Sequence, residues 1–217
     1  PEAIRAQLDY DASEIAGANP NSLHSLGRKA AQVLESCRRV VARSFGSRVR
    51  ASEVLFCGGG TEANVLALIG LAEAARAADR RRDRVVVSAI EHDSILDNLP
   101  QLRALGFTVD TVKPNRRGYV ESSELEALMG PDVALVSIMF ANNETGVIQP
   151  VRALSDVAHA HGAVHHADAV QGWLHVPFDV ADLGVDALSI AGHKVGGPVG
   201  IGALYLKGRT PIRPSSL

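Results

Sequence analysis

The sequence is short of cysteine, lysine, aromatic residues and uninterrupted apolar runs, and each shortage removes a class of protein. Cys37 and Cys57 are the only cysteines in 217 residues and stand at no CxxC or Cys/His spacing, so neither a disulfide framework nor a structural zinc site is expected. That usage suits a reducing, cytoplasmic setting. Aromatics make up 4% of the chain, and 22 Lys+Arg face 24 Asp+Glu for a formal net charge of −2. The basic, aromatic-studded surface of a nucleic-acid binder is therefore missing. The longest apolar stretch, Asn64 to Ala78, is broken by Gly70, Glu73 and Arg76, and no basic-then-apolar leader opens the chain. Neither a membrane span nor a secretory signal is expected. The chain starts without Met and ends just after a strand-like segment, so it reads as a piece of a longer protein.

What is present suits a globular α/β chain. With 46% hydrophobic residues over this length, residues 1–217 are expected to form one large domain with a sizeable core. Short β-branched runs alternate with longer Ala/Leu-rich ones, which predicts a mostly parallel seven-stranded sheet flanked by helices in three αβα layers. The strands are placed at Glu53–Cys57, Arg84–Ser88, Thr108–Val112, Ala134–Met139, Val164–Ala167, Ala187–Ile190 and Gly202–Leu206. Helical spacing falls at Ala30–Phe45, Glu62–Ala78, Ser94–Leu105, Ser122–Met129 and Val151–His161, with Pro100 kinking or shortening the third of these. In the first, Val33, Leu34, Cys37, Val40 and Val41 share one face, which reads Cys37 as core. Asp79-Arg-Arg-Arg-Asp-Arg84 reads as a solvated loop entering a buried strand.

Four segments could carry chemistry. Cys57-Gly-Gly-Gly-Thr-Glu62 joins a strand to a helix starting near Thr61, which could cap it. Its free backbone amides and the helix N-terminus favour an anion such as phosphate, and a plain turn is the alternative. Ser189-Ile-Ala-Gly-His-Lys194 closes a strand before the turn Val195-Gly-Gly-Pro-Val-Gly200. Lysine is scarce, with Lys29, Lys113, Lys194 and Lys207 its only occurrences, and the apolar, small-residue setting of Lys194 would desolvate an imine-forming amine. An exposed loop lysine is the alternative. His165-His-Ala-Asp-Ala-Val-Gln171 is a buried strand with Asp168 at its C-terminal end, a carboxylate that wants a cation. Adjacent strand positions send His165 and His166 to opposite faces, so no metal is expected there. Lastly, Glu91-His92 and Asn142-Asn-Glu-Thr-Gly146 follow strands at the same edge, where His92 could stack on a flat ring or move a proton. The bland surface or capping reading is preferred for His24, His159 and His161.

A phosphate cradle, a lysine, a buried carboxylate and an imidazole together suit pyridoxal 5'-phosphate. Lys194 would form an imine with its aldehyde, Asp168 would hold the pyridine nitrogen protonated, and Gly58 to Thr61 would take the phosphate.

Asn19-Pro-Asn-Ser-Leu-His24, Gly59-Gly-Thr-Glu62, Glu91-His92, Asn142-Asn-Glu-Thr-Gly146, His166-Ala-Asp-Ala-Val-Gln171 and Ala191-Gly-His-Lys194 occur in a shared order and spacing. In these segments the chain resembles, over nearly its whole length, cysteine desulfurases of the NifS/IscS type, within the class V aminotransferase family. The resemblance implies the large domain of a fold type I pyridoxal-phosphate enzyme and a homodimer with active sites near the interface. It implies Lys194 as the imine-forming and proton-moving residue and His92 as the catalytic, ring-stacking imidazole. Asp168 would meet the pyridine nitrogen, Gln171 and Asn143 the ring hydroxyl and substrate side, and Gly60, Thr61 and His193 the phosphate. L-Cysteine would be the substrate and a sulfur-acceptor protein a partner, as in iron–sulfur cluster assembly or tRNA thiolation.

The chain also departs from that pattern. Ala191 stands where the family usually carries a phosphate-binding Ser, a loss of about 1.5–3 kcal/mol of cofactor binding unless another donor substitutes. The family's opening strand motif, persulfide-forming cysteine, substrate-carboxylate arginine and small C-terminal domain all fall outside these residues. Neither Cys37 nor Cys57 is expected to replace that cysteine, so this chain as it stands is expected not to turn over. Other class V enzymes, such as a selenocysteine lyase or an aminotransferase-like enzyme, and a non-catalytic pyridoxal-phosphate-binding paralogue remain the alternatives.

Overall fold

The computed structural model describes residues 2–213. Seven strands form one sheet: β1 (Val54–Cys57), β2 (Arg84–Ser88), β3 (Thr108–Val112), β4 (Val133–Ser137), β5 (Val164–Asp168), β6 (Ala187–Ala191) and β7 (Gly202–Leu206). Their order is β1-β7-β6-β5-β4-β2-β3. β7 runs antiparallel to both of its neighbours, and the other pairings are parallel. β4 and β6 are buried along their whole length, as strands covered on both faces must be, and their sequences are accordingly continuous apolar or small runs.

The helices are α1 (Glu2–Asp11), α2 (Ser25–Phe45), α3 (Gly60–Ala78), α4 (Asp93–Leu96), α5 (Leu99–Ala104), α6 (Ser122–Glu126), α7 (Val151–Ala160) and α8 (Val180–Leu183). Alternation along β2 shows how the layers divide. Val85 and Val87 pack with Leu68, Ile95 and Leu102 from α3, α4 and α5, whereas Val86 packs with Leu125 and Leu154 from α6 and α7. The expected three-layer αβα arrangement with a mostly parallel sheet is what the chain adopts. Among the described residues no helix is long and apolar enough to cross a membrane.

Because β7 alone is reversed, the C-terminal ends of β1, β2, β4, β5 and β6 share one edge, with Cys57 and Ala191 both paired to Gly202 at the start of β7. Gly202 has to be glycine, since a Cβ there would stand 2.5 Å from the Gly59 carbonyl carbon. All four candidate segments therefore arrive at the edge where open α/β sheets bind ligands.

Several expectations are corrected. Cys37 is exposed, as are Val33, Leu34 and Val40: α2 packs with sheet residues through Ala42 and Phe45 instead, and Gly27 lies against the Asn19–Ser22 turn. The helix expected over Ser94–Leu105 is split between α4 and α5, because Pro100 sits in the opening turn of α5, where its missing N–H costs nothing. α3 starts at Gly60 with Gly59 as its cap, so Thr61 lies inside the first turn and does not cap. The helices α1 and α8 were not foreseen. Arg84, ending the charged run, pairs with Asp110 and Asp132 at the start of β2.

Candidate active site

The edge opens into a cleft of about 690 Å³. Gly60, Thr61, His92, Asn143, Asp168, Gln171, His193 and Lys194, the residues singled out in the sequence, all line it. Their distance along the chain is bridged by topology. Thr61 follows β1, His92 follows β2, Asn143 follows β4, Asp168 ends β5 and Gln171 follows it, and His193 and Lys194 follow β6.

Gly58, Gly59 and the first turn of α3 form one wall. A Cβ at Gly60 would stand 2.8 Å from Val170 Cγ2 and 3.2 Å from Ala191 Cβ. Glycine thus lets the helix start sit directly on the ends of β5 and β6, with its free amides turned to the cleft. The Gly58 amide is already used, donating to the Glu62 carboxylate.

Asp168 is 4% exposed. Its Oδ1 accepts from the Val170 amide at 2.8 Å and its Oδ2 from Asn64 Nδ2 at 2.7 Å. Burial pushes its carboxyl above the usual range, against those two hydrogen bonds and the nearby His92. No Lys or Arg among the described residues pairs with it.

The residues before Asn143 and His92 tie down the loops that carry them. Asn142 Oδ1 accepts from the Glu144 and Thr145 amides, and its Nδ2 donates to the Ile90 carbonyl at 3.0 Å. This ties the Asn143 turn to the His92 loop. Glu91 is buried and its Oε1 accepts from Ser88 Oγ and from the Met139 amide. Burial, with Asp168 nearby, pushes its carboxyl up to about 8.

Lys194 differs from expectation. It lies in a short 3-10 turn over Gly192–Val195 and is exposed, so the desolvated setting read from its small neighbours is absent. The Pro198–Gly200 turn, which follows it in the chain, is itself exposed. Ala191, fully buried at the end of β6, gives the cleft a methyl group beside Gly60.

Asn64 and Ser94 were missed. Both border the cleft, and Asn64 Nδ2 donates to Ser94 Oγ at 2.8 Å as well as to Asp168. The available signal was a carboxamide in the otherwise apolar run that follows the glycines, one helical turn beyond Gly60.

The other histidines stand apart from the cleft. His165 contacts Ser155 Oγ at 2.6 Å, and His166 contacts Ser137 and Ser189 Oγ, each at 2.9 Å. Burial pulls these two imidazoles down to about 4 and about 3. No three His, Cys, Asp or Glu side chains converge as a metal site among the described residues. His24 caps α2, His159 meets Asp186 and His161 meets Glu126.

The family described as aminotransferase class-V matches residues 1–215. A cysteine desulfurase from Cereibacter sphaeroides is 40% identical over 99% of the chain and 54% of its own length. A solved structure titled a NifS-like protein superposes with a TM-score of 0.90 at 35% identity, over 99% of the chain and 57% of its own. Another, titled SspA in complex with cysteine, gives 0.84 at 32% identity, over 93% and 57%. The chain spans about half the length of the curated relatives it matches.

Proposed function

The chain belongs to the aminotransferase class-V family, and from that membership we propose that its cleft binds pyridoxal 5'-phosphate and that the whole protein takes sulfur from L-cysteine, leaving L-alanine. One observation carries the reading. Asp168 is a buried carboxylate with no Lys or Arg paired to it among the described residues, and it borders the same cleft as Lys194 and the amide-lined start of α3. A protonated ring nitrogen supplies the missing cation, a phosphate suits the amides, and a primary amine suits an aldehyde.

When bound, pyridoxal phosphate supplies a conjugated ring that accepts the electron pair released next to a substrate amine. The chain's residues supply the rest. Lys194 Nζ would hold the aldehyde carbon and, once freed, take the proton from the substrate α-carbon. Asp168 would keep the ring nitrogen protonated and His92 would cover one face of the ring. Gln171 and Asn143 would meet the ring hydroxyl and the substrate, and Gly60, Thr61 and His193 would meet the phosphate. L-Cysteine as substrate is supported by the relatives' names and by the cysteine complex among them. A second copy of the chain and a sulfur-acceptor protein are the partners this reading calls for.

Neither thiol of the chain lines the cleft. Cys57 is buried, and that burial with the nearby Glu62 pushes its thiol up to about 11, far from a nucleophile's range. Cys37 borders a separate hollow with Glu14 and Lys29. That observation favours a second reading, in which these residues bind the cofactor without desulfurating, and alanine release from L-cysteine separates the two.

The central test is borohydride trapping after incubation with pyridoxal phosphate, followed by peptide mapping of the lysines. A stoichiometric label on Lys194, lost in Lys194→Arg, is expected. A label spread over Lys29, Lys113 and Lys207, or none on Lys194, overturns the reading.

A further inference from the structure

The geometry points to Ser94 and Asn64 as positioning residues for His92: the Ser94 backbone amide sets the tautomer that presents Nε2–H as the donor edge of the ring, and the Ser94 hydroxyl, aligned by Asn64, adds a second hydrogen bond at Nδ1. Asp168 Oδ2 accepts from Asn64 Nδ2 at 2.7 Å. Turning the amide over would take the Nδ2 donor away from Asp168 Oδ2, so the hydrogen bond to Asp168 sets the orientation of Asn64. The consequence is visible in Asn64 Oδ1, which is buried without a partner. The second hydrogen of Nδ2 then goes to Ser94 Oγ at 2.8 Å.

With that lone pair engaged, the hydroxyl turns its own hydrogen to His92 Nδ1, 2.9 Å away. The same Nδ1 accepts from the Ser94 backbone amide at 3.0 Å, where His92 caps α4. A backbone N–H cannot accept, so Nδ1 carries a lone pair, and in the neutral ring the hydrogen is on Nε2. No hydrogen-bond partner for Nε2 occurs among the described residues, and the His92 ring lines the cleft. The chain Asp168–Asn64–Ser94–His92 thus links two opposite demands on one site: an anion to meet a cationic ring atom, and an N–H donor to a bound molecule. His92 therefore donates a hydrogen bond at Nε2 and has no lone pair there to accept one.

The consequence for the reaction rests on the reading of the cleft above, but the proton's position does not, so the two fail separately. Long-range proton–nitrogen correlation spectra of the full chain, labelled with 15N-histidine and without cofactor, read the tautomer directly. His92 is assigned by the resonances lost in His92→Gln. A pyridine-type Nδ1 and a pyrrole-type Nε2 are expected. In Ser94→Ala the Nδ1 resonance should move downfield, because the backbone amide alone remains, and Ser94→Thr should restore it. Asn64→Leu, which frees the hydroxyl to rotate, should move Nδ1 in the same direction by less. A pyrrole-type Nδ1 in the unaltered chain overturns the tautomer. An Nδ1 resonance unmoved in both Ser94→Ala and Asn64→Leu overturns the positioning role. If a variant does not fold, the unaltered chain's spectrum still decides the tautomer, and Ser94→Thr against the other variant decides the role.

Discussion

The two longest helices, α2 with 21 residues and α3 with 19, are close in length and opposite in situation. α3 packs against the sheet and buries Ala63 through Val65, Ala67 through Ala72, and Ala74 and Ala75. α2 buries only Gly27, Ala30, Ala42 and Phe45 and leaves Val33, Leu34 and Val40 in the open. The difference lies in composition around the helix. α2 is amphipathic, and a stripe of that kind announces a helix without saying what covers the stripe. α3 is apolar and small on nearly every side, which places it inside whatever surrounds it. A polar residue in the second kind of helix is therefore costly unless it is used, and Asn64 is used twice at the cleft.

The largest expected effect sharpens this contrast. Leu68 is fully buried on α3, so Leu68→Ala should cost about 2–5 kcal/mol in denaturant unfolding, through lost burial and the cavity left behind. A loss below about 1 kcal/mol would mean α3 is not the packed centre that its environment implies.

A second comparison sets the cleft wall against that wall in the family pattern. Ala191→Ser places a hydroxyl beside Gly60. One hydrogen bond to a phosphate oxygen is worth about 1.5–3 kcal/mol, so pyridoxal phosphate should bind roughly tenfold or more tightly in equilibrium titration. An unchanged affinity would show that the amides at the start of α3 already satisfy the phosphate.

The buried ionisable groups also divide by region, and their pH signs are opposite. His165 and His166, in the sheet, are held neutral. Their contribution is complete above the ordinary 6.5 and is lost as pH falls towards about 4 and about 3. Glu91, at the cleft, is held protonated. Its contribution is complete below the ordinary 4.5 and is lost as pH rises through about 8. Glu91→Gln keeps an oxygen for Ser88 and Met139 but cannot ionise. Its Tm should match the unaltered chain near pH 4.5 and exceed it near pH 8. Equal Tm values at both would place the Glu91 carboxylate in contact with water.

These contrasts show how much was legible in the sequence. Runs such as Arg84–Ser88 and Gly202–Leu206 were read at their observed bounds because a buried strand needs a continuous apolar run closed by turn residues. The cleft residues were legible because each closes such a run, and a parallel sheet brings those ends together. α1 was not, since none of its residues is buried and no core periodicity marks it. Asn64 and Ser94 were not, because their meaning lies in partners 104 and 30 positions away. Lys194 was misjudged because small neighbours can leave an amine bare as easily as they can enclose it.

The two thiols give a smaller and quicker test of the same division. Cys37 is exposed on α2, whereas Cys57 is buried with its thiol pushed up to about 11. A thiol reagent at neutral pH should modify one cysteine per native chain, mapped to Cys37, with Cys57 reacting only after denaturation.

The smallest expected effect is the one that asks what α2 is for. Val40 is 59% exposed, so Val40→Ser removes little buried area and should change stability by no more than about 0.5 kcal/mol at low protein concentration. A second copy covering the stripe would make that figure depend on concentration, since binding only the folded chain adds stability by mass action. Unfolding of Val40→Ser and of the unaltered chain across a dilution series therefore separates the cases. A gap that stays small throughout leaves the stripe solvated, and one that widens as the protein is concentrated means that α2 is covered by another chain.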